Sequence, residues 1–280
     1  MRFGLVLILL LLVGVSPSQG EGGKVQLPNP FGQEAAAYLL RVDGRDLWGR
    51  QPDRRLAPAS LTKMMTALLV LERTTPAEIA TVSRPAARET GSRLGLKSGS
   101  RMSVGELLAA SLLTSANDAC HALADHVAGS EQGFVRVMNE RASALGLAGT
   151  RFANACGHDS PGLYSTARDL ASLAETAMRQ PLIAKLASLS EGVITTEDQG
   201  ERFTLTNTNA LLGRFPGALG VKTGFTPQAG KCLVALAERE GKRVLLVLLD
   251  APDRWWLADR MLSAAFTQGR SGGGVAGSRP

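Results

Sequence analysis

"ASLTKMMTALLVLE" spans Ala59 to Glu72. Its apolar residues recur at helical spacing and predict a helix from about Ser60 to Glu72. Ser60 and Lys63 stand at its start, just after Pro58. Positions three apart share one face of a helix. A hydroxyl and an amine would therefore lie side by side at a helix N-terminus, where backbone N–H groups favour developing negative charge. Two readings are open locally: Ser60 is an N-cap beside an unrelated lysine, or a nucleophile beside its base.

The flanking sequence sets that helix in a larger plan. "AAAYLLRVDGRDLWGR" reads as two strands joined at Asp43-Gly44, a strong hairpin signal. Pro76 to Met102 is mixed and reads as loops and short strands. "SVGELLAASLL" predicts a helix from near Ser103. A break at Thr114 to Asn117 leads to a second helix, Asp118 to Val127, and a third spans about Gln132 to Leu145. "YSTARDLASLAETAMR" opens another, with Ser165 or Thr166 as N-cap. "GALGVKTG" is a short strand. "KCLVALAERE" and "RVLLVLLDAP" are two more, joined at Gly241-Lys242, and "DRWWLADRMLSAAF" returns to helix. Strands thus bracket a helical middle. The predicted class is α/β, in its α+β form: one antiparallel sheet from N- and C-terminal strands, helices on both faces, and a helical lobe beside it. A cleft between the two is a natural place for a site.

Composition bounds the partners. The chain has 280 residues, 44% hydrophobic and 20% charged, enough to bury a core and unlike a disordered chain. A net charge of +6 and a pI of about 9.6 permit an anionic partner such as a polymer wall or a membrane surface. The basic residues are scattered and aromatics are only 5%, which argues against a nucleic-acid surface. "MRFGLVLILLLLVGVSPSQG" pairs a basic Arg2 with an apolar run from Phe3 to Val15 and then small residues, the layout of a secretory signal. The run is shorter than the roughly 20 residues a membrane span needs. The expected organisation is a signal peptide over 1–20, a lead segment over 21–34, a catalytic domain over 35–266 and a disordered Gly/Ser-rich tail over 267–280. The expected location is extracytoplasmic, with no stable membrane anchor after signal cleavage.

Three cysteines, Cys120, Cys156 and Cys232, form no C-x-x-C pair. Cys120 and Cys232 sit in apolar sequence and read as small buried hydrophobes. One disulfide among the three is open, and its pairing is not fixed by the sequence. Cys120, His121, Asp125 and His126 fall on one helix but lack an ordered set of partners, so they read as core and surface of that helix. Gly269 to Gly273 matches a Gly-x-Ser-x-Gly pattern with no strand before it and carries no weight. No metal or cofactor is implied.

Three short patterns carry the chemistry. Ser60-Leu61-Thr62-Lys63, Ser115-Ala116-Asn117 and Lys222-Thr223-Gly224 each occur once, in that order. Together they resemble the active-site motifs of the penicillin-recognising serine enzymes. "APASLTKMMTALLVLE", "LLTSANDAC", "YSTARDLA" and "LTNTNALLGRFPGALGVKTGFTPQAGKCLVA" are similar to the D-alanyl-D-alanine carboxypeptidases, the low-molecular-mass penicillin-binding proteins. The resemblance runs from about Ala35 to Phe266. Where that family often has Asn-Pro-His-Gly-Leu-Asp, this chain has Asn154-Ala155-Cys156-Gly157-His158-Asp159, so no role carries over to its histidine. The β-sandwich domain and C-terminal anchor of many members are not expected here.

The resemblance implies a β-lactamase/DD-peptidase-like fold and a serine-type D-Ala-D-Ala carboxypeptidase. Such an enzyme acts on peptidoglycan stem peptides ending in D-Ala-D-Ala and is acylated by β-lactam antibiotics. It implies Ser60 as nucleophile, Lys63 as base and Ser115 as proton relay to the leaving amine. Asn117 would hold the substrate amide. Lys222, Thr223 and Gly224 would form the opposite wall. The N–H groups of Ser60 and Phe225 would form the oxyanion hole, and Arg254 would receive the substrate carboxylate. A lysine at its ordinary pKa of about 10.4 is a poor base at neutral pH. Burial beside Met64 and Met65, with Lys222 as a second cation, is the expected remedy. A DD-endopeptidase, a β-lactamase and a non-catalytic penicillin-binding receptor are the alternatives. Class A β-lactamases carry a catalytic glutamate in a Glu-x-x-Leu-Asn loop; no glutamate between Asn117 and Lys222 has that context. The intact motifs argue against an idle receptor.

Overall fold

The computed structural model describes residues 29–198 and 200–268. The signal-peptide expectation lies outside the described residues, as does nearly all of the tail. β1 (Ala37–Val42) and β2 (Arg45–Arg50) form the expected hairpin. Its turn residues Asp43 and Gly44 both have positive φ, 48° and 76°. That pair of left-handed conformations matches the twist of the flanking strands. The chain then makes a 3-10 turn over Ala59–Thr62 and enters α1 (Lys63–Arg73). The predicted helix is thus split, with Ser60 in the turn and Lys63 opening the α-helix.

β3 (Ile79–Thr81), α2 (Arg84–Ala87) and β4 (Arg101–Ser103) occupy the mixed stretch. α3 (Val104–Leu113) starts at a capping box, in which Ser103 and Glu106 satisfy each other's backbone N–H. α4 (Asn117–Ala128), α5 (Glu131–Ala144) and α6 (Ala167–Ala177) follow as expected within a residue or two. Thr166 is the N-cap of α6, accepting from Asp169 N. α7 (Pro181–Ser188) and a hairpin of β5 (Glu191–Thr195) and β6 (Arg202–Thr206) had no counterpart in the sequence patterns. β7 (Ala218–Thr226), β8 (Gly230–Arg239), β9 (Lys242–Leu249) and α8 (Arg254–Thr267) complete the domain. The β8–β9 turn falls on Glu240-Gly241, one residue earlier than expected, because Lys242 already pairs with Arg239 in the sheet.

The main sheet has the order β2-β1-β9-β8-β7, antiparallel throughout. Its central strands are apolar without interruption because both of their faces are covered. Val244, Leu246 and Leu248 of β9 pack with Leu257, Met261 and Leu262 of α8. The alternate residues Leu245, Val247 and Leu249 pack into the larger core with α1, α3, α4 and α6. Each such leucine is nearly solvent-free, and truncating Leu246 to alanine would cost about 2–5 kcal/mol. Phe31, in the lead segment, is buried edge-on against Trp48. No helix among the described residues is long and apolar enough to cross a membrane.

The cysteines divide differently from expectation. Cys120 is not a free apolar residue: it is disulfide-bonded to Cys156, with Cα atoms 5.9 Å apart. The bond ties α4 to the loop after α5. Only Cys232 is free, and it is buried. Burial pushes its thiol up to about 11, so it is inert near neutral pH.

Candidate active site

The 3-10 turn that carries Ser60 is wedged between two glycines. Ala59, the first residue of the turn, is buried and holds φ at 49°, a left-handed conformation rare for a residue with a Cβ. On one side is Gly224 of β7. A Cβ there would sit 3.1–3.2 Å from Ala59 Cβ, Pro58 O and Ser60 N, so glycine lets the strand close on the turn. On the other side is Gly157, with φ 90°, where a Cβ would overlap the Ala59 carbonyl. The loop after α5 and the edge of the sheet thus grip the turn from opposite sides.

Between them opens a cleft of about 530 Å³. Ser60, Ser115, Asn117, Thr223, Gly224, Phe225 and Arg254 all line it. Lys63 and Lys222 lie just behind, at 0% and 1% exposure. Every site residue expected from the sequence is therefore at or directly beneath one cleft.

Lys63 Nζ makes three contacts: Ser60 Oγ at 3.0 Å, Asn117 Oδ1 at 2.7 Å and Cys156 O at 2.6 Å. The two carbonyl oxygens can only accept, so each takes an N–H. A neutral amine has two N–H bonds and one lone pair. Once the carbonyls hold both N–H bonds, the lone pair faces the Ser60 hydroxyl. The charge state agrees. Burial holds the Lys63 ammonium well below its ordinary pKa, the positive charge of Lys222 pushes the same way, and Glu89 and Asp118 oppose it.

Asn117 is itself fixed. Its Nδ2 donates to Thr90 O at 2.6 Å and its backbone N–H to Ser92 O at 2.7 Å. Because Thr90 O is an acceptor, the amide must turn its NH₂ that way and its oxygen to Lys63. Ser115, at the break between α3 and α4, has φ 63°. It takes the left-handed place after a helix that glycine usually fills, and Ala116 N–H closes back on Ala110 O.

On the sheet side, Lys222 Nζ donates to Thr223 O at 3.1 Å. Burial first, and the charge of Arg254 second, lower its pKa to about 7. Thr223 Oγ1 meets Thr208 Oγ1 at 2.6 Å. Arg254, the first residue of α8, donates from Nη1 to Gly224 O and Cys232 O at 2.8 and 3.0 Å. Its fork is thereby tied to the strands at the cleft wall. Phe225 is 60% exposed at the rim.

Residues 32–253 match the family described as D-alanyl-D-alanine carboxypeptidase. The chain belongs to that family. It is similar to the D-alanyl-D-alanine carboxypeptidase DacF of Bacillus subtilis, 35% identical over 94% of this chain and 70% of the relative. It is also similar to a D-alanyl-D-alanine endopeptidase of Pseudomonas aeruginosa, 32% identical over 88% of this chain and 80% of that one. Among solved structures, a Streptomyces DD-transpeptidase superposes with a TM-score of 0.79 at 30% identity, covering 83% of this chain and 98% of the other. Penicillin-binding protein D2 of Listeria monocytogenes, in an ampicillin-bound form, gives 0.74 at 33%, covering 86% and 100%.

As a D-alanyl-D-alanine carboxypeptidase family member, the chain has the fold and reaction class that its motifs implied. What the motifs did not disclose are the Thr90 and Cys156 carbonyls. Main-chain oxygens have no side-chain signature, and their positions come from loops closed by tertiary contacts. Asp118 was also missed: its carboxylate accepts from Leu94, Gly95 and Leu96 N–H and so ties the segment after the cleft-lining residues Thr90 to Ser92 onto α4.

Proposed function

We propose that Ser60 is the nucleophile of this serine D-Ala-D-Ala carboxypeptidase and Lys63 its general base. The observation that carries the reading is the buried Lys63 amine, 3.0 Å from Ser60 Oγ, with both of its N–H bonds committed to carbonyls. Ser60 Oγ attacks the carbonyl of the penultimate D-alanine as Lys63 takes its proton. The N–H groups of Ser60 and Phe225 receive the oxyanion. Ser115 relays the proton to the leaving amine, and the terminal D-alanine departs. Water then attacks the acyl-enzyme, with Lys63 as base again. General-base assistance of this kind is worth roughly 10²–10⁴ in rate.

Asn117 holds the substrate amide with the N–H that Thr90 does not use. Lys222, Thr223 and Gly224 form the facing wall, and Arg254 receives the terminal carboxylate. The substrates are peptidoglycan stem peptides ending in D-Ala-D-Ala, and β-lactams acylate the same serine. The catalytic domain is residues 35–266. The basic Arg2 and the apolar run after it support export, with the enzyme acting outside the cytoplasm. A second reading, cleavage of cross-linked peptides, is favoured by the likeness to the Pseudomonas endopeptidase.

The test uses the chain without its N-terminal segment, incubated with a D-Ala-D-Ala peptide and with a penicillin. Released D-alanine and a single penicilloyl adduct mapped to Ser60 are expected. Ser60→Ala should show neither. An adduct elsewhere, or activity in the alanine variant, would sink the reading.

A further inference from the structure

Glu89 lies outside the three motifs and does not line the cleft, yet it joins the elements that surround the cleft on one side. It lies two residues after the end of α2, and its carboxylate is mostly buried, at 13% exposure. His121 Nδ1, on α4, meets Glu89 Oε1 at 2.6 Å. His158 Nε2, on the loop after α5, lies 2.8 Å from Glu89 Oε2. Burial works against the ionised carboxylate, but the hydrogen bond from His121 and the contact with His158 outweigh it and hold Glu89 at about 2. For His121, burial disfavours the imidazolium, but Glu89 and Asp125 leave its pKa raised. The Glu89 carboxylate thus ties together three segments: its own loop, α4 through His121 and the loop after α5 through His158. A parallel tie, Ser83 Oγ to Asp125 Oδ2 at 2.6 Å, pins the other end of α2 to α4.

The next residue in the chain is Thr90, whose carbonyl takes the Asn117 amide at 2.6 Å. Asn117 Oδ1 in turn holds Lys63 Nζ at 2.7 Å. A connected path therefore runs from the Glu89 carboxylate through one peptide unit to the amide that aims the amine. We propose that Glu89 is a positioning residue for the Ser60–Lys63 pair: it clamps the loop 89–92 against His121 and His158 and so fixes the Thr90 carbonyl that orients Asn117.

Thr90 itself is exposed and offers little packing of its own to resist displacement. The far end of the loop is tied at Ser92, whose carbonyl accepts from Asn117 N–H at 2.7 Å and whose Oγ donates to Thr114 O at 2.8 Å, and the Glu89 carboxylate anchors the near end, next to Thr90. Glu89, His121 and Glu131 also bring ligand atoms within 4.8 Å of one another. Glu131 already accepts from Ala155 N–H at 2.9 Å, and His121 meets Glu89 at 2.6 Å, so each of these side chains has a protein partner.

The inference rests on the proposed roles of Ser60 and Lys63, and a double-mutant cycle tests it separately from them. Penicillin acylation is followed by stopped flow in the wild type, Glu89→Ala, Asn117→Ala and the double variant, with the thermal midpoint of each as a folding control. Glu89→Ala should slow the acylation step by on the order of 10- to 100-fold, as expected of misplaced reacting groups, with little change in the initial non-covalent binding. In the Asn117→Ala background the same substitution should have almost no further effect, because it acts through Asn117. Glu89→Gln, which retains an acceptor for His121, should recover part of the rate. An unchanged acylation step in folded Glu89→Ala overturns the inference, as do effects that simply multiply in the double variant. If Glu89→Ala does not fold, Glu89→Gln enters the same cycle, with the same dependence on Asn117 expected and the same two results overturning the inference. A wild-type protein that forms no adduct on Ser60 would instead overturn the reading of the site itself.

Discussion

Asn117 Oδ1 accepts a hydrogen bond from Lys63 Nζ at 2.7 Å, across the junction of α1 and α4. The contact joins two of the three sequence motifs through a neutral acceptor. Neutrality matters, because a carboxylate in that place would bind the ammonium form and remove the lone pair from Ser60. Asn117→Asp is therefore expected to raise the Lys63 pKa and to slow penicillin acylation at neutral pH by about 100-fold or more. The acid limb of the pH–rate profile should move to higher pH. An unshifted limb with full activity would show that Lys63 is not the base.

The two buried lysines make stability depend on pH. Lys222 has a folded pKa of about 7 and Lys63 is also held well below its ordinary value, each chiefly through burial. In the unfolded chain both return to about 10.4. Between about pH 7 and 10 the unfolded state binds more protons, so unfolding free energy should rise with pH across that window. Urea midpoints near pH 7 and pH 9 would measure it. Lys222→Met should flatten part of the rise, and an identical slope in that variant would refute the assignment.

The Cys120–Cys156 disulfide stands behind both carbonyls that hold Lys63. Cys156 supplies one itself, and Cys120 lies one helical turn beyond Asn117, which supplies the other. Replacing both cysteines by serine is expected to cost about 2–4 kcal/mol of stability. It should also slow acylation more than a loss of fold alone explains, because the Cys156 carbonyl is no longer tied to α4. Acylation rates measured well below the thermal midpoint would separate the two effects. A variant that is destabilised yet acylates at the wild-type rate would confine the bond to stability.

Turnover of penicillin distinguishes the carboxypeptidase reading from a β-lactamase. With a peptide, D-alanine leaves and water can enter. With a penicillin, the leaving amine stays tethered to the acyl group and obstructs that approach, and no Glu-x-x-Leu-Asn loop supplies a separate base. The penicilloyl-enzyme should therefore outlast the peptide acyl-enzyme by a wide margin, read by intact-mass decay. Penicillin hydrolysis as fast as peptide hydrolysis would move the protein to the β-lactamases.

The side chains of the site were legible because their spacing is local: Ser60 and Lys63 are one helical turn apart, and Lys222, Thr223 and Gly224 are consecutive. The sheet was legible because β8 and β9 carry long apolar runs between turn residues. Other features depend on contacts between distant segments. Ala59 and Ser115 adopt left-handed conformations that their side chains do not advertise. Cys120 reads as a small buried hydrophobe from its apolar neighbours, and only the placing of the loop after α5 beside α4 shows it bonded to Cys156. The α7 helix and the β5–β6 hairpin are short, and packing rather than their own period settles them: α7 lies against β7 and α3, and the hairpin against α3. For Arg254 the family resemblance implied a ligand for carboxylate. Its guanidinium binds the carbonyls of Gly224 and Cys232, which no pattern announces.

β7 is the last strand of the main sheet, and Lys222 to Phe225 lie along it. An outermost strand leaves main-chain donors and acceptors without a neighbouring strand, a template for any extended chain. Here the 3-10 turn covers part of that rim, and the cleft leaves the remainder open next to Ser60. A stem peptide laid there would join the sheet as a sixth strand, read through its amides rather than its side groups. Such an enzyme would accept many residues upstream of the scissile bond and discriminate mainly at the two terminal positions. Peptides that differ only before D-Ala-D-Ala should then be cleaved at similar rates, while N-methylation of an upstream amide that pairs with β7 should weaken binding.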